Sequence, residues 1–422
     1  MNYDLRFHGP VLLRQALACS YNLVAVKVLQ HVGIDALVQT ARDLGITTLD
    51  DSERWGLALT LGGGEVSLLQ LTGTYAALAN GGAKVPPRAI LRVEDAQGRA
   101  LAVWDVPEPA QAVSPQVAFL LSDVLSDNAA RAPAFGENSP LRLSRPAAAK
   151  TGTTTDWRDN WTVGYTPNLA VGVWTGNADN SPMREVSGIT GAAPVWRDVM
   201  ESILRGLPVR DFAPPDGMVR VEICADSGLL PDPDCPHRRL EWFIQGKEPT
   251  EPCDWHRTVR IDRLSGLVAG PNCPEATVEE RIYVFWPPEA MDWAREQGLT
   301  LPPTAACPLH PSDTPASPPV GSPGIVLVSP DPNAVYRLSA SLPADMQSLQ
   351  LAARLPGEAA QATVTFYVDS IAVGEDAEPP YRIMWPMQAG EHRVWAVVVL
   401  PSGERVESEI RRFLVLAPAA EE

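Results

Sequence analysis

Residues 147–167 read AAAKTGTTTDWRDNWTVGYTP and place a lysine where the chain otherwise has the pattern of a buried strand. Ala147–Thr153, Trp161–Tyr165 and Leu169–Thr175 show the period of two that predicts strands. The segment Thr166–Asn168 predicts a tight turn between the last two. The pattern therefore predicts an antiparallel run with Lys150 in its first strand.

Lysine is scarce in this chain. Four lysines, at positions 27, 84, 150 and 247, stand among 34 basic residues, and the others are arginines. Because arginine supplies the ordinary positive charge, a lysine followed by Thr-Gly indicates a specific use of the ammonium group.

Helical patterns precede this run, and one follows it. A polar break at Ser20, Tyr21 and Asn22 predicts that two helices meet there, and Ser114 with Pro115 suits the start of another helix. The predicted helices cover residues 12–32, with that break, and 34–44, 66–80, 115–128 and 195–204. Helices, an antiparallel run and a final helix predict an α+β domain that ends near Leu207.

Composition excludes several classes of function. A chain of 422 residues predicts more than one domain, and its formal net charge of -17, without a basic stripe, argues against nucleic-acid binding. No window approaches the roughly 18–20 uninterrupted apolar residues of a membrane span. The start of the chain has no signal-peptide pattern.

Lys150, Thr151, Gly152 and Thr153 suit acyl-transfer chemistry at the edge of a sheet. The ammonium and the threonine hydroxyls can bind a substrate carboxylate, and Gly152 lets an extended substrate lie against the strand. The backbone N–H of Thr153 can point at a developing oxyanion. A surface strand that happens to read KTGT is the plain alternative.

Residues 1 to about 205 resemble the C-terminal part of the transpeptidase domain of class A penicillin-binding proteins. The resemblance rests on residues 2–22 (NYDLRFHGPVLLRQALACSYN), 59–82 (LTLGGGEVSLLQLTGTYAALANGG) and 150–177 (KTGTTTDWRDNWTVGYTPNLAVGVWTGN). Penicillin-recognising serine acyl transferases carry three elements, S-x-x-K, Ser-x-Asn and K-T-G. Ser20–Asn22 matches the second and Lys150–Gly152 the third. The tail, with GKEPTEPC and VTFYVD, is similar to the penicillin-binding protein 1C branch.

This resemblance implies an incomplete serine β-lactamase/transpeptidase-like fold and peptidoglycan cross-linking by a serine-type D,D-transpeptidase. Peptidoglycan stem peptides and β-lactams would be its ligands, and no metal or cofactor is expected. The catalytic assignments are Ser20 as proton relay, Asn22 on the substrate amide, and Lys150. Thr151, Gly152 and Thr153 would bind the donor carboxylate and the oxyanion. A helix cap is the plain alternative for Ser20 and Asn22.

The first motif is absent. No serine in the chain is followed three residues later by lysine; the nearest sequences are of the form Ser-x-x-Arg, as at Ser139, Ser181 and Ser202. Arginine stays protonated and cannot be the activating base. We therefore expect a truncated chain that lacks the nucleophile, the glycosyltransferase domain and the membrane anchor of an extracytoplasmic parent, and that is inactive by itself.

Two other classes remain open. The chain could be a non-catalytic module that binds cell wall or partner proteins, or it could belong to a D,D-carboxypeptidase or β-lactamase. Residues 156–159, Asp-Trp-Arg-Asp, favour a plain loop over an acceptor site. Trp161, Tyr165 and Trp174 are interpreted as core aromatics.

Residues 208–301 form a region rich in cysteine and proline. CADSGLLPDPDCP from Cys224 and IDRLSGLVAGPNCP from Ile261 indicate a two-copy repeat. Cys224, Cys235, Cys253 and Cys273 are interpreted as disulfide-forming, with Cys224–Cys235 as one bridge. A zinc site with His237 and His256 is the alternative, disfavoured because no two cysteines have the C-x2-4-C spacing.

Residues 302–323 have the composition of a Pro/Ser linker, and 324–416 predict an immunoglobulin-like β-sandwich. The sandwich is a candidate contact for cell-wall polymers or for partners in division and elongation. The organisation predicted is thus a transpeptidase portion over 1–207, a small Cys/Pro-rich β region over 208–301, the linker and the sandwich.

Overall fold

The structure is a computed structural model that describes residues 2–49, 52–154, 157–184, 186–310, 325–338, 347–355, 362–399 and 405–417. It contains two compact units, Met1–Cys253 and Asp254–Glu422. In the described residues no single helix is long and apolar enough to cross a membrane, although one helix pair, bent by 96°, passes that test by length and composition.

The helices of the first unit begin and end where its polar residues and glycines predict. Ser67 and Ser114 accept hydrogen bonds from the first-turn amides of Gln70 and Val117, and Gly45, with φ of 108°, ends a helix. The helices are α1 Leu13–Ala18, α2 Asn22–Val32, α3 Ile34–Leu44, α4 Leu68–Ala79, α5 Pro115–Ser126, α6 Asn128–Phe135 and α7 Ala192–Leu204.

The predicted helices are confirmed to within a few residues, and α6 was not predicted. The sequence pattern predicts that a helix ends at Asn128, and Pro133 within α6 argues against a helix there. The side chain of Asp127 accepts from the amide of Ala130 at 2.9 Å and starts a second helix directly after α5.

The strands of this part of the chain pair as three antiparallel groups. They are β1 Ala83–Lys84, β2 Arg92–Glu94, β3 Ala100–Val103, β4 Ala110–Gln111, β5 Ala148–Thr153, β6 Asp159–Thr166 and β7 Leu169–Gly176. The order in the largest sheet is β5-β6-β7, with β1 paired to β4 and β2 to β3. Thr166 pairs with Leu169, so Pro167 and Asn168 form the predicted tight turn. The antiparallel run is confirmed.

Helices cover both faces of the β5-β6-β7 sheet. Ala147 and Ala149 pack in a cluster with Trp196, Met200 and Leu204 of α7. Ala148 lies in a different cluster, with residues of α4 and α5 and with the buried Tyr165. Side chains alternate between the faces of a strand, so Lys150 points to the same face as Ala148, toward the helical part.

Gly164 is required where β6 passes under α7. A Cβ at this position would lie 2.4 Å from Cζ2 of Trp196 and 2.7 Å from the carbonyl oxygen of Ala148. We expect Gly164→Ala to lower the free energy of unfolding by about 3 kcal/mol, because the ring and the strand must both shift.

Gly73→Ala is the matched control for Gly164→Ala. Gly73 lies in α4 with nothing within 4 Å of its Cβ position, so alanine should be neutral or stabilise by up to about 1 kcal/mol. Urea unfolding of both variants measures the difference. Equal stabilities would contradict the close approach of Trp196 to β6.

A hairpin of the Cys/Pro-rich region packs within the first unit. It consists of β8 Met218–Cys224 and β9 Arg238–Ile244. The ring of Trp242 on β9 meets Phe119 of α5 at 5.5 Å between centroids. Arg14 of α1 binds Glu241 of β9 as well as Asp123 and Asp127. These contacts lie within the first unit, which ends at Cys253, and the boundary predicted after residue 207 falls inside that unit.

The second unit begins with the hairpin of β10 His256–Asp262 and β11 Val278–Val284, followed by α8 Met291–Glu296. Nine further strands follow: β12 Val326–Ser329, β13 Val335–Arg337, β14 Ser348–Arg354, β15 Thr363–Val368, β16 Ile371–Asp376, β17 Tyr381–Pro386, β18 Gly390–Val399, β19 Arg405–Glu407 and β20 Arg411–Leu416. Most of the predicted linker, residues 311–323, lies outside the described residues.

Strands β12 to β20 form two sheets around one apolar core. The first has the order β12-β14-β17, and the second has the order β13-β20-β18-β15-β16 with β19 beside β18. Leu351 and Trp385 of the first sheet share a cluster with Val364, Phe366 and Phe413 of the second. Alternating buried positions on these strands face this core.

Candidate functional site

Lys150 and Ser20, which are 130 residues apart in sequence, meet in the structure. Lys150 Nζ donates a hydrogen bond to Ser20 Oγ at 2.6 Å and another to the carbonyl oxygen of Thr151 at 2.9 Å. Lys150 lies on β5, which ends the β5-β6-β7 order and has no second strand partner among the described residues. Two of the sequence-predicted site residues therefore face each other beside the edge of a sheet.

Ser20 occupies the turn between α1 and α2. Its φ of 61° is in the left-handed region, which costs a non-glycine residue about 1 kcal/mol or more and is concentrated at functional sites. Hydrogen bonds from Ser20 N to Leu17 O and from Tyr21 N to Ala16 O fix the turn. Asn22 then begins α2, so the predicted interhelical turn is present.

The surroundings of Lys150 disfavour its charged form. Burial and the nearby guanidinium of Arg131 both lower the pKa of Lys150 to about 8. The side chain of Arg131 is itself 2% exposed, and burial lowers its pKa to about 10 against the opposing effect of Asp127. Two cations in one partly desolvated place favour an anionic ligand such as a carboxylate.

Arg131 is a site residue that sequence reasoning missed. It lies on α6, and its Nη1 is buried without a hydrogen-bond partner in the described part of the chain. An arginine in the pattern NAARAPAF gives no local signal of this role.

Thr151, Gly152 and Thr153 pair along β6, where Gly152 lies opposite Trp161 and Thr153 opposite Asn160. Thr153 Oγ1 accepts a hydrogen bond from the amide of Gly188 at 2.9 Å, so its own proton stays available to donate. A Cβ on Gly152 would lie 3.4 Å from Trp161 Cβ. The edge of β5 leaves alternate backbone groups able to bind an extended peptide.

Comparisons with known proteins identify this region. The model of the penicillin-binding protein transpeptidase domain matches residues 1–201, and that of the penicillin-binding protein 1A C-terminal domain matches residues 214–258. Residues 1–201 are a transpeptidase region of the class A penicillin-binding protein type.

Individual relatives agree with the family models. Penicillin-binding protein 2D of Bacillus subtilis is 36% identical over 250 residues, which is 58% of this chain and 35% of that protein. Penicillin-binding protein 1A of Aquifex aeolicus is 34% identical over 258 residues, 60% of this chain and 34% of that protein. This chain therefore spans about a third of the length of these curated relatives.

A solved structure supports the fold of the transpeptidase region. The crystal structure of penicillin-binding protein 1A from Haemophilus influenzae matches with a TM-score of 0.51 at 25% identity, over 60% of this chain and 42% of that one. The predicted transpeptidase-like arrangement of helices and antiparallel strands is confirmed at this level.

The glycine-rich loop before α4 lies near the end of the Lys150 strand. A Cβ on Gly62 would be 3.7 Å from Cγ2 of Thr154, so this loop approaches the point where β5 leaves the sheet. The loop belongs to the LTLGGGEVS segment that carried the resemblance, and the sequence alone did not place it at the site.

Residues 157–159 of the transpeptidase region hold their own loop together, and Asp156 lies outside the described residues. Asp159 Oδ2 accepts from Thr154 Oγ1 at 3.0 Å, and its Oδ1 accepts from Trp174 Nε1 at 2.8 Å. Arg158 donates to the carbonyl oxygen of Asn180. Every one of these contacts is internal to the loop and its neighbours.

The three aromatic residues interpreted as core have different surroundings. Tyr165 is fully buried, and its hydroxyl lies 2.8 Å from Ser122 Oγ. Trp161 is partly buried. The prediction for Trp174 is wrong, because this residue is 37% exposed and its ring nitrogen donates a hydrogen bond to Asp159.

The predicted Cys224–Cys235 disulfide is not found in the structure. All six cysteines lie among the described residues, and none is disulfide-bonded. The sulfurs of Cys224, Cys235 and Cys253 converge within 4.8 Å of one another. Cys273 instead lies near Cys307, which the sequence left unassigned. Three thiols therefore lie close together here, and one disulfide bond would use only two of them.

The lowered pKa of Lys150 predicts a pH-dependent stability. The folded value is about 8 and the ordinary value is 10.5, so the unfolded chain holds this proton to higher pH. The protein should gain stability as pH rises from about 8 to 10.5. Lys150→Met should raise the free energy of unfolding at pH 7 by about 1–3 kcal/mol and remove this gain.

Urea unfolding between pH 7 and 10, with local hydrogen exchange at Ala148–Thr153, measures the effect of Lys150→Met. Lys27→Met, at an exposed position of α2, is the control and should follow the wild type. Loss of stability in the Lys150→Met protein would contradict the desolvation of Lys150.

Proposed function

We propose that β5 and the Ser20 turn form the carboxylate-binding half of a serine D,D-transpeptidase site that acts on peptidoglycan stem peptides. The observation that carries this proposal is the 2.6 Å hydrogen bond from Lys150 Nζ to Ser20 Oγ at the edge of the sheet. The membership of residues 1–201 in the transpeptidase family supports it.

In this proposal the substrate's terminal D-alanine carboxylate binds Lys150 and Thr151, with Arg131 adding positive potential. The stem peptide extends along β5 as an added strand, where Gly152 leaves room for it. The N–H of Thr153 donates to the oxyanion that forms when a serine oxygen attacks the penultimate carbonyl. Asn22 orients the substrate amide.

Ser20 and Lys150 handle the proton of this reaction. The attacking serine loses a proton, and the departing D-alanine nitrogen must gain one as the peptide bond breaks. A lysine with a pKa near 8, hydrogen-bonded to a hydroxyl, can pass a proton through that hydroxyl in neutral solution. A second amine then attacks the acyl-serine ester and completes the transfer.

The nucleophile itself is not supplied by these 422 residues, because they contain no Ser-x-x-Lys. We infer that the polypeptide binds the substrate end without acylation. β-Lactams, which mimic the donor peptide, would be ligands of a site completed by such a motif. The acyl transfer needs no metal or cofactor in this scheme.

The wider assignments rest on the same family. We propose an extracytoplasmic location, a parent of the penicillin-binding protein 1C type, and an immunoglobulin-like sandwich over residues 324–416 that contacts the cell wall or partner proteins. The apolar core shared by β12 to β20 supports the sandwich.

Reversible binding of N-acetyl-D-Ala-D-Ala tests the carboxylate-binding role of Lys150. We expect weak binding, and at least a tenfold loss in Lys150→Met, because a charge-assisted hydrogen bond is worth about 1.5–3 kcal/mol. Lys27→Met should bind as the wild type does. Equal affinity for the dipeptide acid and its C-terminal amide would overturn the proposal.

A further inference from the structure

The two copies of the repeat carry residues of metal-ligating types at matching positions. When its segments are aligned on Ser-Gly-Leu and Cys-Pro, Asp262 stands where the first copy has Cys224, and Cys273 stands where it has Cys235. Each copy is followed by a Cys-x-x-His sequence, at Cys253 in the first and at Cys307 in the second.

The backbone repeats the same hydrogen bonds in both copies. The amide of Cys224 donates to Leu229 O at 2.8 Å, and that of Asp262 donates to Leu267 O at 2.9 Å. The amide of Cys253 donates to Leu230 O at 2.7 Å, and that of Cys307 to Val268 O at 2.8 Å. The sequence repeat is therefore a structural repeat, and equivalent residues occupy equivalent places.

In the second copy four ligand-type side chains converge. One atom from each of Asp262, Cys273, Cys307 and His310 lies within 4.8 Å of the other three. Asp262, Cys273 and Cys307 are 0%, 8% and 4% exposed. Cys307 Sγ lies 3.3 Å from Asp262 Oδ2 and 3.8 Å from His310 Nδ1.

Asp262 is arranged to present an oxygen to a cation. Its Oδ2 accepts from the amide and the hydroxyl of Ser265, which fixes the carboxylate plane. Its Oδ1 is buried and makes no hydrogen bond of normal geometry within the described residues. A buried carboxylate oxygen without a partner is costly unless a cation neutralises it.

The first copy shows the same arrangement with sulfur in place of the carboxylate. The sulfurs of Cys224, Cys235 and Cys253 lie within 4.8 Å of one another. Ser227, the counterpart of Ser265, donates to Cys253 Sγ at 3.2 Å. A serine at the same position therefore supports a ligand in each copy.

Disulfide chemistry does not explain the repeat. The first cluster has three sulfurs, so a bridge would leave one over, and the second replaces one cysteine with Asp262, which cannot form a bridge. Cysteine and aspartate can both bind a divalent metal as anions, so the replacement keeps a ligand type at this position of the repeat.

We propose that each copy of the repeat binds one zinc ion as a structural site. In the second copy the ligands are Asp262, Cys273, Cys307 and His310. In the first they are Cys224, Cys235 and Cys253. Zinc–sulfur bonds of about 2.3 Å put tetrahedral sulfur ligands about 3.8 Å apart. The ligand atoms, which lie within 4.8 Å of one another, would need to move only slightly closer together.

Zinc explains features that the transpeptidase chemistry does not use. In the second copy four protein ligands close the coordination shell, so that site would be structural and would not activate water. The two sites would fix the ends of the β8–β9 and β10–β11 hairpins, where the chain has few buried apolar side chains of its own.

Metal analysis of the whole chain tests this proposal. Protein purified in reductant without chelator should contain about two zinc ions per chain by elemental analysis and native mass spectrometry. His310→Ala and Cys235→Ser should each lower the content to about one, and the combined variant to about zero. Cys19→Ser, which removes a buried thiol outside both clusters, should retain two.

Three results would contradict zinc binding by the repeat. A metal-free chain whose mass is lower by two hydrogens per cysteine pair would overturn the proposal in favour of disulfides. Unchanged zinc in His310→Ala and Cys235→Ser would overturn it as well. Because a variant can lose zinc by unfolding, Asp262→Cys supplies a second readout: it keeps a ligand and should retain two ions, and a folded Asp262→Cys protein without the second ion would also contradict the site.

Discussion

Fluorescent penicillin is expected to leave the 422-residue polypeptide unlabelled. Acylation requires a serine oxygen activated by a neighbouring base, and no serine in this chain is followed by lysine at the motif spacing. Ser20 Oγ does contact a lysine, because it accepts a hydrogen bond from Lys150 Nζ at 2.6 Å. In the proposed scheme Ser20 relays a proton with Lys150. No second basic residue is therefore left to activate Ser20 as a nucleophile.

Intact mass spectrometry after incubation with penicillin measures this outcome. Full-length penicillin-binding protein 1A of Aquifex aeolicus, treated in parallel, serves as the positive control. A stoichiometric adduct on this polypeptide would contradict the prediction, and peptide mapping would show which serine had reacted. Ser20→Ala would then decide whether the turn itself supplies the nucleophile.

Arg14→Ala is expected to destabilise the first unit by about 3–5 kcal/mol. Arg14 is 8% exposed and binds Glu241, Asp123 and Asp127, with Nε to Glu241 Oε2 at 2.7 Å and Nη1 to Asp127 Oδ2 at 3.2 Å. Removing the guanidinium leaves three carboxylates close together without their cation. The network joins α1, α5 and β9, so the cost should appear as loss of the β8–β9 hairpin from the helices.

The cost of Arg14→Ala should depend on pH. Burial raises the pKa of Glu241, but hydrogen bonds and the charge of Arg14 outweigh it and lower that pKa below its ordinary 4.5. A lowered folded pKa gives stability that is present above the ordinary value and is lost as pH falls through the folded value. The difference in unfolding free energy between Arg14→Ala and wild type should therefore shrink as pH falls below 4.5.

Urea unfolding at several pH values measures this difference. Arg99→Ala is the matched control, because Arg99 pairs with Asp95 on an exposed turn and its side chain is 79% exposed. Such pairs contribute about 1 kcal/mol or less. Equal losses for the two variants would show that the Arg14 network does not join the hairpin to the helices.

Much of the transpeptidase region could be predicted from the sequence because its signals are local. The alternation around Lys150, the turn at Pro167 and the caps at Ser67 and Ser114 each act within a few residues. Lys150 and Ser20 were paired through motif order, and the structure places them in contact.

Features that depend on distant contacts were not predictable. Arg131 reaches Lys150 only because α6 follows α5 directly, and a pattern of alanines gave no sign of it. The contacts of Arg14 and Phe119 with the β8–β9 hairpin were not predictable either, because the sequence of that hairpin looks like a separate region. Both sets of contacts join residues that are far apart in the sequence.

The cysteine clusters show a different limit. Zinc was disfavoured because no two cysteines have short spacing, but the turn at Ser227 and its counterpart Ser265 bring residues together across longer intervals. Aligning the two copies position by position, with Asp262 opposite Cys224, was the sequence signal that could have revealed the shared ligand set.

Carbon-13 labelling of the lysine ε carbons tests the central claim most directly, because the chain has only four lysines. One signal, absent from Lys150→Met, should titrate near pH 8. N-acetyl-D-Ala-D-Ala should move that titration to higher pH, because its carboxylate stabilises the ammonium, and the dipeptide amide should not. The absence of a lysine signal that titrates near pH 8, or a Lys150 signal that does not respond to the dipeptide acid, would contradict a carboxylate-binding transpeptidase strand.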